Sequence, residues 1–101
     1  MSLLCKYLTK TIAAICLIFV TCYNDIGNMA DGVQTYFGAV ACPAWLRLGT
    51  TVNIVGLGNF TCHDRYSSTL SDRFDIAVPG ASLDTCYSYT GVYEWSIVTN
   101  G

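Results

Sequence analysis

The chain has 101 residues, of which 52% are hydrophobic and only 12% charged, and its formal net charge is −2. That length implies one domain, and so low a charge, against roughly 25% in ordinary globular chains, excludes a disordered tail or a coiled coil. Five basic residues without a lysine or arginine patch exclude nucleic-acid binding through a basic face.

Both lysines, Lys6 and Lys10, fall in the first ten residues, and residues 11–24 carry no charge. From residue 24 onward three arginines (Arg47, Arg65, Arg73) stand against seven carboxylates. Ile12 to Val20 is an unbroken apolar run. A positive stretch followed by about 7–15 apolar residues is the pattern of an export signal. The run is shorter than the about 20 residues that a membrane span needs. Residues 1–16 are therefore expected to be a signal or anchor segment, with any membrane association made through it. A buried strand is the competing reading, since Ile15 to Tyr23 is rich in β-branched residues. Residues 17–101 are expected to form the folded domain of an exported, extracellular or envelope protein.

Six cysteines are present: Cys5, Cys16, Cys22, Cys42, Cys62 and Cys86. Loss of a leader after Cys16 would leave four, which allow three pairings. A core of roughly 80 residues gains about 2–4 kcal/mol from each bridge, and bridges agree with an oxidising compartment. A zinc site is disfavoured, because no Cys-x-x-Cys pair exists and the single histidine, His63, has no second histidine.

After residue 17 the pattern is mostly β. Strands are predicted over 17–23, 34–42, 51–55, 59–63, 74–78 and 92–98 from short runs rich in Val, Ile, Thr, Tyr and Phe. Gly56-Leu57-Gly58-Asn59 reads as a tight hairpin turn and not as a nucleotide loop, since no strand–turn–helix unit surrounds it. Asn59-Phe60-Thr61 matches the glycosylation triplet, but lies within that hairpin. Residues 82–89 predict one short helix, with Ser82 as N-cap and Asp84 in the first turn. Six short strands and one helix predict an all-β small barrel, which removes exposed sheet edges.

Two carboxylates stand out by context. Asp64 ends the run Phe60-Thr61-Cys62-His63, and Asp75 lies inside Arg73-Phe74-Asp75-Ile76-Ala77-Val78. A carboxylate within an apolar strand is uncommon, because burying it unpaired is costly. The plain explanation is an ion pair with Arg65 or Arg73. The functional one is an acid/base group whose pKa is raised by partial burial. Asp25, Asp31, Asp72 and Asp84 sit in polar stretches and read as solvated loop or cap residues. A Ser-His-Asp triad is set aside, because strand alternation turns His63 and Asp64 to opposite faces and nothing singles out a distant partner for His63. A cysteine nucleophile with His63 as base is weaker than bridges as an account of the cysteines.

Several motifs in order resemble a known family. These are Gly38-Ala39-Val40-Ala41-Cys42-Pro43, Leu48-Gly49-Thr50-Thr51-Val52-Asn53-Ile54, Gly56-Leu57-Gly58, Asp64-Arg65 and Arg73-Phe74-Asp75-Ile76. Together they are similar to the 3D (Asp-Asp-Asp) domain, the double-psi β-barrel of the catalytic core of membrane-bound lytic transglycosylase A. Rare lipoprotein A and the expansins have more distantly related barrels. Thr21-Cys22-Tyr23 resembles the Thr-x-Tyr of the family's first strand. The resemblance covers roughly residues 17–99 and implies a small six-stranded double-psi β-barrel with one short helix.

It also implies action on peptidoglycan or a related polysaccharide. Asp75 matches the family's acid/base aspartate and Asp64 the preceding one, with the family's interval between them. A single acid/base residue suffices where the sugar's own hydroxyl is the nucleophile, unlike the two-carboxylate scheme of ordinary glycosidases. Burial and the nearby Asp64 would keep Asp75 protonated near neutral pH. Arg65, Arg73 and Tyr66 are the expected substrate-binding residues, and Tyr36, Trp45, Tyr66, Tyr87 and Trp95 are the aromatics available to stack on sugar rings. The chain departs from the family where Cys42 replaces the first aspartate and where Asp64-Arg65-Tyr66-Ser67-Ser68 replaces an Asp-x-Gly-Gly turn. Arg65 would depress a neighbouring carboxylate pKa and weaken acid function.

Three functions follow: a lytic-transglycosylase-like enzyme, a non-catalytic peptidoglycan- or carbohydrate-binding module, and a disulfide-stabilised envelope structural protein. No cofactor or metal is called for in any of them.

Overall fold

The computed structural model describes the backbone of residues 4–7 and 14–99 and the side chains of residues 16–99. Most of the 1–16 segment expected as signal or anchor lies outside the described residues. Seven strands and one helix follow in chain order: β1 Leu4–Tyr7, β2 Ala14–Tyr23, β3 Ala39–Ala41, β4 Thr51–Ile54, β5 Gly58–Asp64, β6 Phe74–Ala77, α1 Leu83–Tyr87 and β7 Gly91–Ile97. Among the described residues no helix is long and apolar enough to cross a membrane.

Six of the strands close on themselves in the order β2-β6-β3-β5-β4-β7, with β7 pairing back onto β2. The fold is thus the expected all-β, six-stranded barrel with one short helix. Two pairings are parallel, β2 with β6 and β3 with β5, and the other four are antiparallel. β2 is long enough to serve three partners: β1 and β7 along its first part, β6 from Val20 to Tyr23. It begins three residues earlier than the pattern predicts, within the 1–16 segment.

Strand alternation fills the barrel. Ile18 and Val20, Val40, Val52 and Ile54, Phe60 and Cys62, and Phe74 and Ile76 all point inward and join Cys42, Leu46 and Trp95 in one buried cluster. No polar or charged residue among those described is buried. Cys42 and Cys62 are bonded to each other inside this core, and Cys22 is bonded to Cys86 on α1. Cys16 is disulfide-bonded too, and no described cysteine is free. The helix is set by its N-cap: Ser82 Oγ accepts from the Thr85 N–H at 3.1 Å, while Cys86 is its buried residue.

The largest departure from the predicted elements is the strand expected over 34–42, of which only Ala39–Ala41 forms. Gly38 has φ +122°, a conformation that ends an extended strand, and the Tyr36 ring packs over it. The segment 24–38 instead folds across the outside of β3 and β6. There Met29 packs with Ala39, Ala77 and Tyr23 in a second, smaller cluster. The predicted hairpin joins β4 to β5, with positive φ at Gly56 and Gly58.

Candidate functional site

The ladder registers place Thr21 opposite Asp75, Asp75 opposite Ala41 and Ala41 opposite Asp64. Four strands thus carry one row of side chains across the barrel's outer face. Phe74 and Ile76 point inward, so Asp75 points out; Val40 points inward, so Ala41 points out. Asp64 reaches this face for a different reason. Cys62 is internal, and simple alternation would turn Asp64 inward with it. The β3–β5 register instead skips from Val40–Cys62 to Ala41–Asp64, which leaves His63 as an extra residue in β5. This bulge re-aims Asp64 outward beside Asp75. The small Ala41 side chain between them leaves room for a cleft.

The two carboxylates are held differently. Asp64 is surrounded by donors: Oδ1 accepts from the backbone N–H of Ala30 (3.0 Å) and of Arg65 (2.9 Å), and Oδ2 accepts from the Tyr23 hydroxyl (3.3 Å). Asp75 accepts one bond, from Thr21 Oγ1 to Oδ1 at 2.9 Å. Its Oδ2 has no hydrogen-bond partner among the described residues. Burial pushes the Asp75 pKa above the ordinary value of 3.8, and the charges of Asp25 and Asp64 add to this. The Thr21 bond and the Arg73 charge oppose the rise without cancelling it. The Tyr23 phenol is pushed well up, first by burial and then by the Asp64 charge. Burial also raises Tyr66.

Neither aspartate is ion-paired with an arginine. Arg65 Nη1 donates to the carbonyls of Cys42 (3.1 Å) and Pro43 (2.6 Å). Arg73 donates to the carbonyl and hydroxyl of Ser71 and lies 5.7 Å over the Phe19 ring. The plain explanation of the two aspartates by arginine pairing therefore fails.

Asp64, Asp75, Arg65 and Tyr66 all line one cleft of about 170 Å³, together with Tyr23, Asp25 and Ala41. A second cleft of about 390 Å³ shares Arg65 and Tyr66 and continues past Pro43, Trp45, Leu70 and Asp72. Arg73 lines neither; it reaches Asp75 only through its charge. Of the five aromatics considered for stacking, Trp45 and Tyr66 line a cleft. The Trp45 indole is fixed by donation from Nε1 to Asp72 Oδ2 at 3.0 Å. Trp95 is buried against Phe74, Tyr87 is exposed on α1, and Tyr36 bonds to His63.

Sequence reasoning about composition missed Thr21, Tyr23, Ala30 and Asp25 as parts of the site. Thr21 and Tyr23 stand in the Thr-x-Tyr of the family resemblance. Ala30 contributes a backbone N–H from 34 residues away, for which no local sequence signal exists. One expectation is corrected. His63 and Asp64 do not face apart, because the bulge sets both toward segment 24–38: Asp64 meets Ala30, and His63 meets Asp31 and Tyr36.

Compared with family models, curated proteins and solved structures, the chain matches none. Among the described residues no group of three or more His, Cys, Asp or Glu side chains is arranged to hold a metal ion.

Proposed function

We propose that the protein is an exported domain that cleaves cell-wall glycan by lytic-transglycosylase-like chemistry, with Asp75 as its general acid/base. The observation that carries this is the pairing of a half-buried Asp75, whose pKa is raised and whose Oδ2 accepts no hydrogen bond among the described residues, with Asp64 in one cleft. In this scheme Asp75 donates its proton to the glycosidic oxygen as the bond to C1 breaks. It then accepts the proton of the sugar's own hydroxyl as that oxygen closes the anhydro ring. Asp64, held by three donors, stays fixed, orients substrate and adds negative charge beside Asp75. Trp45 and Tyr66 offer faces for sugar rings along the larger cleft.

One departure from the family pattern weighs less once the site is seen, and the other stands. Arg65 is turned to the Cys42 and Pro43 carbonyls and is not among the groups that lower the Asp75 pKa. Cys42, bonded to Cys62 in the core, supplies no carboxylate in place of the first family aspartate, so the reading rests on Asp75 and Asp64 alone. The disulfides agree with an oxidising, extracytoplasmic location.

The test is incubation of the purified protein with insoluble peptidoglycan and mass spectrometry of the soluble products. Anhydro-muropeptides are expected, and Asp75→Asn should reduce their release by about 10²-fold or more. Release should also fall as pH rises through the raised Asp75 pKa. Sedimentation with peptidoglycan, unchanged by Asp75→Asn and without product, would instead make the protein a binding module. Neither product nor sedimentation would leave it an envelope structural protein.

A further inference from the structure

His63, set aside in the sequence for want of a partner, has two in the fold. Its Nδ1 meets Asp31 Oδ2 at 2.5 Å, and its Nε2 meets the Tyr36 hydroxyl at 2.9 Å. A carboxylate accepts only from a protonated ring nitrogen, so the neutral imidazole carries its proton on Nδ1. Nε2 is then the acceptor, and the Tyr36 O–H donates to it. A hydroxyl on a base, with the base oriented by a third group, is the arrangement that activates a nucleophile.

The phenol is also held in place. The Tyr36 ring sits edge-on to the imidazole, with centroids 5.5 Å apart, and lies against Gly38, where an added Cβ would meet the ring at 3.1 Å. All three side chains reach solvent: Tyr36 is 41% exposed, and the His63 and Asp31 side chains are 16% and 25% exposed. None of the three lines the Asp64–Asp75 cleft or its neighbour. No lysine or arginine contacts them among the described residues, which disfavours an anionic phosphoryl donor and favours a neutral ester.

We propose that Tyr36, His63 and Asp31 form an acyl-accepting site, independent of the glycan cleft, in which the Tyr36 phenol is the nucleophile. As Tyr36 Oη attacks the carbonyl carbon of an activated ester, His63 Nε2 takes the phenolic proton. The new Oη–C bond forms, the ester C–O bond breaks, and the departing alkoxide or phenolate receives the proton from Nε2. The products are an O-acyl Tyr36 and a free alcohol. Asp31 holds the Nδ1–H throughout and stabilises the transient imidazolium.

The probe is p-nitrophenyl acetate at neutral pH, with peptide mapping to measure acetylation at each of the seven tyrosines. Tyr87, which is more exposed at 66%, is the internal control for an unassisted phenol. Tyr36 should acetylate at least about tenfold faster than Tyr87, and His63→Gln should bring it down to the Tyr87 rate. Asp31→Asn keeps the side-chain shape, guards against a folding failure of the glutamine variant, and should slow Tyr36 by about tenfold or more. Equal rates at Tyr36 and Tyr87 in the unaltered protein would overturn the proposal. So would a Tyr36 rate unmoved by both substitutions.

Discussion

The barrel interior and its outer face across β3, β5 and β6 are built from the same strands by opposite rules. Inside, every described side chain is apolar, Phe60 and Phe74 are almost fully enclosed, and a disulfide joins β3's end to β5. Outside, Met29 covers Ala39 and Ala77, and one step further along the same strands lie Ala41 and Asp75, with Asp64 paired to Ala41. The interior holds the strands in register, and that register delivers the carboxylates to one row. The chemistry proposed above would sit on a face whose buried apolar cluster is small, Met29 with Ala39 and Ala77. The two regions should therefore respond very differently to substitution.

The largest effect is expected inside. Phe74 is fully buried and packs edge-on against Trp95 at 4.9 Å between centroids. Phe74→Ala should cost about 3–5 kcal/mol, a large part of the stability of a domain this size, and should lower Tm steeply or prevent folding. Thermal denaturation followed by circular dichroism checks this. A loss of under about 1 kcal/mol would mean that the interior is not the part that holds the fold.

A smaller and local effect is expected on the outer face. Met29 is 4% exposed beneath segment 24–38, and Met29→Ala should cost about 2 kcal/mol. The loss should appear in hydrogen exchange at the amides of residue 29 and Gly32, which bond within that segment. The Cys62 and Val98 amides, bonded to Thr50 and Thr51, should keep their protection. Equal loss at both sets would show that cover and barrel open as one unit, and the contrast between the two regions would collapse.

How much of this was legible in the sequence follows from what is local and what is not. Alternation in Thr51-Val52-Asn53-Ile54 and Phe74-Asp75-Ile76 sets the faces of β4 and β6, and with them the outward direction of Asp75. Gly56 and Gly58 mark the hairpin because positive φ is a local demand. Gln34 to Phe37 has strand-like residues, yet the turn at Gly38 and the covering role of Met29 remove it from the sheet. The position of Asp64 depends on a bulge that no alternation rule anticipates, since the extra residue is defined only by pairing with β3. The Ala30 N–H on Asp64 and the Asp31–His63–Tyr36 cluster both need segment 24–38 to return to β5. The turning of Arg65 to the Cys42 and Pro43 carbonyls is equally non-local, so the ion-pair expectation had no local evidence against it.

The smallest effect separates the carboxylate's contribution to stability from its role in chemistry. The native state raises the Asp75 pKa above 3.8, so it holds that proton more tightly than the unfolded chain does. Stability is then undiminished at pH values below about 3.8 and falls as pH rises from there through the raised value. At neutral pH the group therefore costs stability, because it ionises more easily in the unfolded chain than in the native one. The amide introduced by Asp75→Asn cannot ionise, and its carbonyl oxygen can still accept from Thr21. That variant should melt a few degrees higher than the unaltered protein at pH 7 and at the same temperature at pH 3. An ion-paired aspartate predicts the reverse sign at pH 7, so a lower Tm there would restore arginine pairing as the reason for Asp75. A higher Tm combined with lost glycan release would mark Asp75 as a residue kept at the expense of stability, as acid/base groups commonly are.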